Sequence, residues 1–301
     1  MTTPFHAGEL KAQALAGGGA SGSGIRDVMP DQHRTFFALL PYIFVGVIDD
    51  AGWPIATLLM GAPGFVQARD AVTLRIDALP DPLDPAAQGF VEGRDIAFLG
   101  LDFATRRRNR ANGRIARRDA CGVTVAVRQS FGNCPRYIQS RAIGQRAQTR
   151  SGIDALAALD PAATALIEQA DTFFVATRAR QDAGVSHGAD ISHRGGRPGF
   201  VRVEGDTLTI PDFAGNRYFN TLGNMIGEPR AALLFMDFET GDLLQLQGMA
   251  EIDWAGDHAS ALVGAERMWR FHIVRGWRRA AGSPLCASPP DYAPTTLRTG
   301  T

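Results

Sequence analysis

The chain has 301 residues, with 31 basic and 31 acidic side chains, so it has no global field to hold a nucleic-acid backbone or an anionic membrane. Apolar residues make up 45% and charged residues 21%, which excludes the disordered class, and the length allows two domains that each bury a core. Lys11 is the single lysine, which makes arginine the default anion binder.

In chain order, Ala16 to Gly24 (AGGGASGSG) is all Gly, Ser or Ala, and residues 1–24 are expected to form a flexible N-terminal segment. Pro30 to Leu40 reads as a helix with Asp31 as N-cap. The β-branched and aromatic run Tyr42 to Asp49 reads as a strand that turns at Asp50-Ala51-Gly52 into a returning strand, Ile55 to Met60. Pro161 to Gln169 then reads as a helix and Asp171 to Thr177 as the strand it feeds, so the pattern begins again.

Fixed spacings support an internal repeat. Ile43-Phe44-Val45 matches Phe173-Phe174-Val175 at an offset of 130, and Pro63-Gly64-Phe65-Val66 matches Pro198-Gly199-Phe200-Val201 at 135. Asp102-Phe103-Ala104, Arg107 and Gly113 match Asp212-Phe213-Ala214, Arg217 and Gly223 at 110, which makes Leu79 to Gly93 an extra loop of the first copy. The expected units are 25–150 and 151–280, each mainly β with one or two helices, followed by a C-terminal tail, 281–301.

Three stretches of the second unit carry a resemblance: Gly188 to Val201 (GADISHRGGRPGFV), Ile210 to Asn224 (IPDFAGNRYFNTLGN) and Pro229 to Gly248 (PRAALLFMDFETGDLLQLQG). They resemble the pyridoxamine 5'-phosphate oxidase-like FMN-binding proteins, in which a basic strand-loop-strand, a short helix with polar and basic residues at its start, a proline and an AALLF strand follow in this order. The resemblance implies a mainly β fold of two tandem split barrels with flanking helices. It also implies an FMN cofactor and a flavin-dependent oxidoreductase acting on a small molecule. Electrons would come from a reduced nicotinamide or a partner reductase, because no GxGxxG fingerprint is present. A homodimer or an intrachain pseudo-dimer would build the flavin site. The alternative within the same fold is a non-catalytic flavin or haem binder.

For the cofactor the resemblance points to Asp190, Ile191 and Ser192 near the flavin ring. It points to His193, Arg194, Arg197, Asn216 and Arg217 around the phosphate, with Asn216 to Met225 expected as a helix whose free N–H groups add donors. Read alone, SHRGGRPG is rather an exposed arginine-bearing turn and Asn216 a helix cap. Leu243 stands where the founding oxidase has a glutamine, and the Arg and His that grip pyridoxal phosphate have no counterpart, although Trp269-Arg270-Phe271-His272 is present. Trp269 and Phe271 read as alternating core residues of a strand.

His187, Asp190 and His193 match no compact metal motif, so no metal is expected, while His193 is a candidate haem ligand. Arg106 to Arg110 (RRRNR) reads as an anion-facing helix start of the first unit. Because Gly61-Ala62-Pro63 stands opposite His193 to Pro198, one complete site per chain is expected. The odd cysteine count, Cys121, Cys134 and Cys286, fits a reducing compartment, and with no leader or apolar span of roughly 18 residues the chain reads as cytoplasmic. Cys134, beside Arg136, is either a redox thiol or a structural cysteine.

Overall fold

The computed structural model describes residues 3–147, 152–180, 187–255 and 262–300. The first half contains α1 (Ala7–Leu15), α2 (Asp31–Leu39), β1 (Tyr42–Ile48), β2 (Pro54–Met60), β3 (Val66–Ala68), β4 (Thr73–Ile76), β5 (Asp95–Asp102), β6 (Arg107–Asp119) and β7 (Gly122–Asn133). Two short strands follow, β8 (Ile143–Gln145) and β9 (Asp154–Leu156). The second half contains α3 (Pro161–Gln169), β10 (Thr172–Ala179), β11 (Gly188–Gly195), β12 (Arg202–Glu204), β13 (Thr207–Phe213), α4 (Asn220–Gly227), β14 (Arg230–Met236), β15 (Leu243–Asp253), β16 (Ala265–Arg279), β17 (Leu285–Ala287) and α5 (Pro294–Leu297). The expected boundary at Arg150 lies outside the described residues.

One antiparallel sheet runs in the order β2-β1-β5-β6-β7-β4-β3 and the other in the order β11-β10-β14-β15-β16-β13-β12. The two orders are the same topology used twice. Neither sheet closes: among the described residues each hydrogen-bonded path ends on two free edges, so the expected closed barrels are replaced by open, curled sheets with flanking helices.

Matching hydrogen bonds fix the correspondence. Gly61 N–H donates to Pro41 O and Gly64 N–H to Ala38 O, just as Gly196 N–H donates to Asp171 O and Gly199 N–H to Glu168 O. Gly64 and Gly199 share a left-handed φ, +93° and +83°, which explains why the Pro-Gly-Phe-Val turn recurs with glycine. The match at 110 is wrong, however. Asp102 ends β5 whereas Asp212 lies inside β13, and the register pairs Phe44 with Leu99 as it pairs Phe174 with Leu234. The true counterpart of Leu99 to Thr105 (LGLDFAT) is therefore Leu234 to Thr240 (LFMDFET), still 135 residues on. Leu79 to Gly93 is then no insertion: it occupies the same connection as α4, with a 3₁₀ turn at Pro85–Gly89 in place of the helix.

Each sheet wraps its own core, with Phe37, Phe98 and Val125 in one and Phe173, Phe235, Trp269 and Phe271 in the other. A third core joins the two sheets, because the outer faces of β1, β2 and β5 pack on those of β10, β11 and β14. At its centre the equivalent residues Phe44 and Phe174 stack with ring centroids 3.5 Å apart. A Cβ on Gly46 would stand 3.2 Å from Asp190 O, so glycine permits this approach. Both faces of β1 are consequently buried, and its side chains are apolar without alternation. The result is a pseudo-dimer within one chain.

The N-terminal segment, expected to be flexible, is built onto this frame. His6 and Glu9 form a capping box that starts α1, and His6 Nε2 lies 2.8 Å from Asn224 Oδ1 of α4. The helices touch through a glycine pair: a Cβ on Gly8 would fall 2.3 Å from Gly223 O. The Gly/Ser/Ala run offers no side chain to bury, but its carbonyls accept from Arg217, whose Nη2 lies 2.8 Å from Ala16 O and 3.1 Å from Gly18 O. Elsewhere α2 is preceded by Pro30 as N-cap rather than Asp31, since Asp31 already has helical backbone.

Candidate functional site

A cleft opens where β11, the loop before α4 and β13 of the second half meet β6 and the end of β7 of the first. Ser192, His193, Arg194, Asn216, Arg217 and Thr221 line one wall, and Arg108, Arg110, Asn133, Cys134 and Arg136 line the other. The enclosed part holds about 100 Å³.

Of the residues expected at a cofactor, Ser192, His193, Arg194, Asn216 and Arg217 come together here. Asp190 lies just beneath, accepting from Arg110 Nη1 at 3.0 Å and from Asn112 Nδ2 at 3.1 Å. Ile191 does not reach the cleft: as the next residue on a strand it turns to the opposite face, fully buried in the core between the sheets. Arg197 is also elsewhere, on the far side of the Gly195-Gly196 turn, donating to Leu297 O at 2.8 Å. Asn216 and Arg217 precede α4 rather than start it, because Arg217 and Phe219 both take a left-handed φ of about 60° that breaks the helical path. Of the five residues expected around the phosphate, Arg197 is therefore the one that stands apart from the cleft.

The first-half wall is the part that motif reading missed. Arg106 to Arg110 is no helix start; apart from Arg106 in the preceding turn, it runs along β6, and strand alternation aims Arg108 and Arg110 across the boundary between the halves. Arg107 faces away, donating to Gln32 O and covering the Phe36 ring at 4.6 Å. A constant offset of 135 through LGLDFAT and LFMDFET is the signal that would have placed RRRNR on a strand after a hairpin.

Electrostatics set this cleft apart. Five arginines line it against two carboxylates, Asp212 and Glu266. Asp212 is shared, taking Arg194 Nη1 at 2.5 Å and Arg267 as well. Arg110 has the buried carboxylate of Asp190 and the hydroxyl of Ser192. Arg108 has no carboxylate partner among the described residues; it donates to Cys134 O at 3.0 Å and to His193 Nδ1 at 3.0 Å, and burial pushes its guanidinium down to about 10. A cation partly removed from water without a carboxylate beside it carries a desolvation cost, and an anion in the cleft would relieve that cost.

His193 is 4% exposed, and burial, followed by the surrounding arginines led by Arg108, drives its pKa well below the ordinary histidine value, so the ring is neutral. A guanidinium can only donate, so Nδ1 accepts and the proton of the neutral ring sits on Nε2. That Nε2 has no partner among the described residues, and neither do Arg110 Nε, Arg194 Nε and Asn133 Oδ1. Cys134 is half-buried, with its Sγ 3.9 Å from Arg108 Nη2. Among the described residues no group of three or more His, Cys, Asp and Glu is placed to hold a metal, and no helix is long and apolar enough to cross a membrane.

No protein-family profile matches the chain, and no curated protein matches it. Among solved structures, HupZ of Group A Streptococcus is 17% identical over 39% of this chain and 91% of its own, with a TM-score of 0.31. A FAD-binding protein of Mesorhizobium loti is 13% identical over 42% of this chain and 98% of its own, with a TM-score of 0.29. General Stress Protein 26 of Bacillus anthracis is 12% identical over 43% of this chain and 94% of its own, with a TM-score of 0.22. Likenesses this distant say nothing about ligand or reaction.

Proposed function

We propose that the chain is a flavin-binding protein of the tandem pyridoxamine 5'-phosphate oxidase-like type, holding one FMN per chain by its phosphate in the cleft between its halves. The observation that carries this reading is Arg108, a half-buried guanidinium without a carboxylate partner among the described residues, beside the unpartnered Nε2–H of His193. Donors already in place for an anion are cheap to use, because their ordering entropy is spent in folding. Arg108, Arg194 and Arg217 would supply the positive surroundings of the dianion, with Ser192 and Asn216 adding polar groups. The enclosed 100 Å³ is a fraction of the roughly 300–1,000 Å³ of whole-cofactor pockets, so it suits the phosphate end and leaves the ring to extend beyond it.

The tautomer of His193 favours flavin over haem. An iron ligand needs the Nε2 lone pair, but with Arg108 donating to Nδ1 that lone pair is a bound proton. When bound, the flavin would accept or donate a hydride or single electrons, so the protein need supply only binding and orientation. Electron transfer from a reduced nicotinamide or a partner reductase to a small substrate is the further reading, and it rests on the sequence resemblance.

Visible absorption of the purified chain, before and after addition of FMN and separately of haemin, tests the proposal. Flavin bands that stay with the protein through gel filtration are the expected result. A retained Soret band without flavin uptake would replace flavin by haem.

A further inference from the structure

The repeat supplies an internal reference for the cleft. Register places Thr57 of β2 at the position of Ser192 of β11, since Val45 pairs with Thr57 as Val175 pairs with Ser192. Arg110 of β6 corresponds to Gln245 of β15, facing Leu99 and Leu234, and Asn133 of β7 corresponds to Arg279 of β16, facing Arg108 and Leu243. The 3₁₀ turn and α4 occupy the same connection, and their N-caps, Asp84 and Phe219, are again 135 residues apart.

In the first-half counterpart these positions surround an anion that belongs to the chain. Asp84, 2% exposed, accepts from Thr57 Oγ1 at 2.6 Å, Arg279 Nη1 at 2.7 Å, Gln245 Nε2 at 3.0 Å and Ala86 N–H at 2.9 Å. Every donor type that the fold directs to this point is satisfied by one carboxylate. In the open cleft the same point has no carboxylate of its own. Phe219 supplies no side-chain cap to α4, Asn133 lines the cleft half-buried, and Arg110, 6% exposed and held from beneath by Asp190, keeps its Nε–H unpartnered among the described residues.

Resting on the cleft reading above, we infer that the anion of the ligand sits where Asp84 sits in the counterpart, held by Arg110, Ser192, Asn133 and the first N–H groups of α4. The phosphate or carboxylate completes the N-terminus of α4 as Asp84 completes the 3₁₀ turn. Asp84 is thus a built-in ligand that keeps the first cleft shut, and Phe219 is the residue that leaves the second cleft open to an outside anion. This places the anion against the first half of the chain, deeper than the exposed arginine turn at Arg197.

The test is calorimetric titration of the full chain with inorganic phosphate at fixed ionic strength, for the wild type, Phe219→Asp and Asn133→Asp. Aspartate tolerates a left-handed φ better than phenylalanine, and Asn133→Asp keeps the side-chain shape, so both variants are expected to fold, as circular dichroism would report. The wild type should take one phosphate per chain and each variant should bind at least tenfold more weakly. A wild type that takes no phosphate, or variants that both bind it undiminished, overturns the assignment. FMN titrated in parallel separates the two claims. Phosphate uptake without FMN uptake contradicts the flavin reading alone, whereas FMN uptake unchanged in both variants contradicts the anion position alone.

Discussion

Two clefts related by the repeat share strands, register and connection, yet one is a structural joint and the other an open site. At matching positions the first carries Leu58, Leu59, Leu243 and Gln245 where the second carries His193, Arg194, Arg108 and Arg110. The first is sealed by the buried Asp84–Arg279 pair; the second leaves, among the described residues, the Arg108 guanidinium without a carboxylate and the His193 imidazole N–H without a partner. Folding therefore asks for neither arginine at Arg108 nor histidine at His193, because leucine serves at both counterparts. A handful of side chains separates a sealed joint from an open, arginine-lined cleft.

The sealed cleft should respond most strongly to substitution. Asp84→Ala strands Arg279 in a buried place and should cost about 3–5 kcal/mol in urea unfolding. A loss below about 1 kcal/mol would deny that this pair closes the cleft.

Arg108→Leu imports the residue of the sealed cleft into the open one. Stability should stay the same or rise, since a half-buried cation without a carboxylate is replaced by an apolar group, while FMN affinity should fall at least tenfold, about 1.4 kcal/mol. Lower stability with unchanged FMN binding would make Arg108 a structural residue.

His193→Leu sharpens the contrast through pH. The folded-state pKa of His193 is depressed, so below the unfolded value near 6.5 the unfolded chain binds a proton that the folded chain does not. Its contribution is intact above pH 7 and is lost as pH falls toward the folded value, by up to about 1.4 kcal/mol per pH unit. Unfolding curves between pH 7 and pH 5 should therefore fall more steeply for the wild type than for the variant. Parallel curves would mean that His193 is protonated in the fold.

The smallest effect belongs to Arg107→Ala, which removes a bond to Gln32 O and a stacking contact outside both clefts. FMN binding should be unchanged and stability should shift by no more than about 1 kcal/mol.

Much of this was legible from residue order. The strand Tyr42 to Ile48, the hairpin after it and the helix Pro161 to Gln169 follow from local chemistry: β-branched runs, Asp and Gly at a turn, Pro just inside a helix. The Pro-Gly-Phe-Val turn was readable because a left-handed glycine is required in both copies. Beyond the turn, the repeat misled, because Asp-Phe-Ala recurs by composition at two unrelated strand ends. Ser192, His193 and Arg194, which line the cleft, were singled out by resemblance. Arg108 and Asn133 were not, because they reach the cleft only through packing of one half on the other, which no local spacing reports. The N-terminal segment was misread for a related reason: the partners that order it, Asn220, Asn224 and Gly223 of α4 for the His6 to Glu9 stretch and Arg217 for the Gly/Ser/Ala carbonyls, lie far along the chain.

The most direct test of the account is binding stoichiometry by fluorescence titration of the intact chain with FMN, with riboflavin in parallel. One open cleft with an anion position predicts a single FMN per chain and riboflavin at least tenfold weaker. Two equivalents of FMN per chain, or equal affinity for riboflavin, would contradict it.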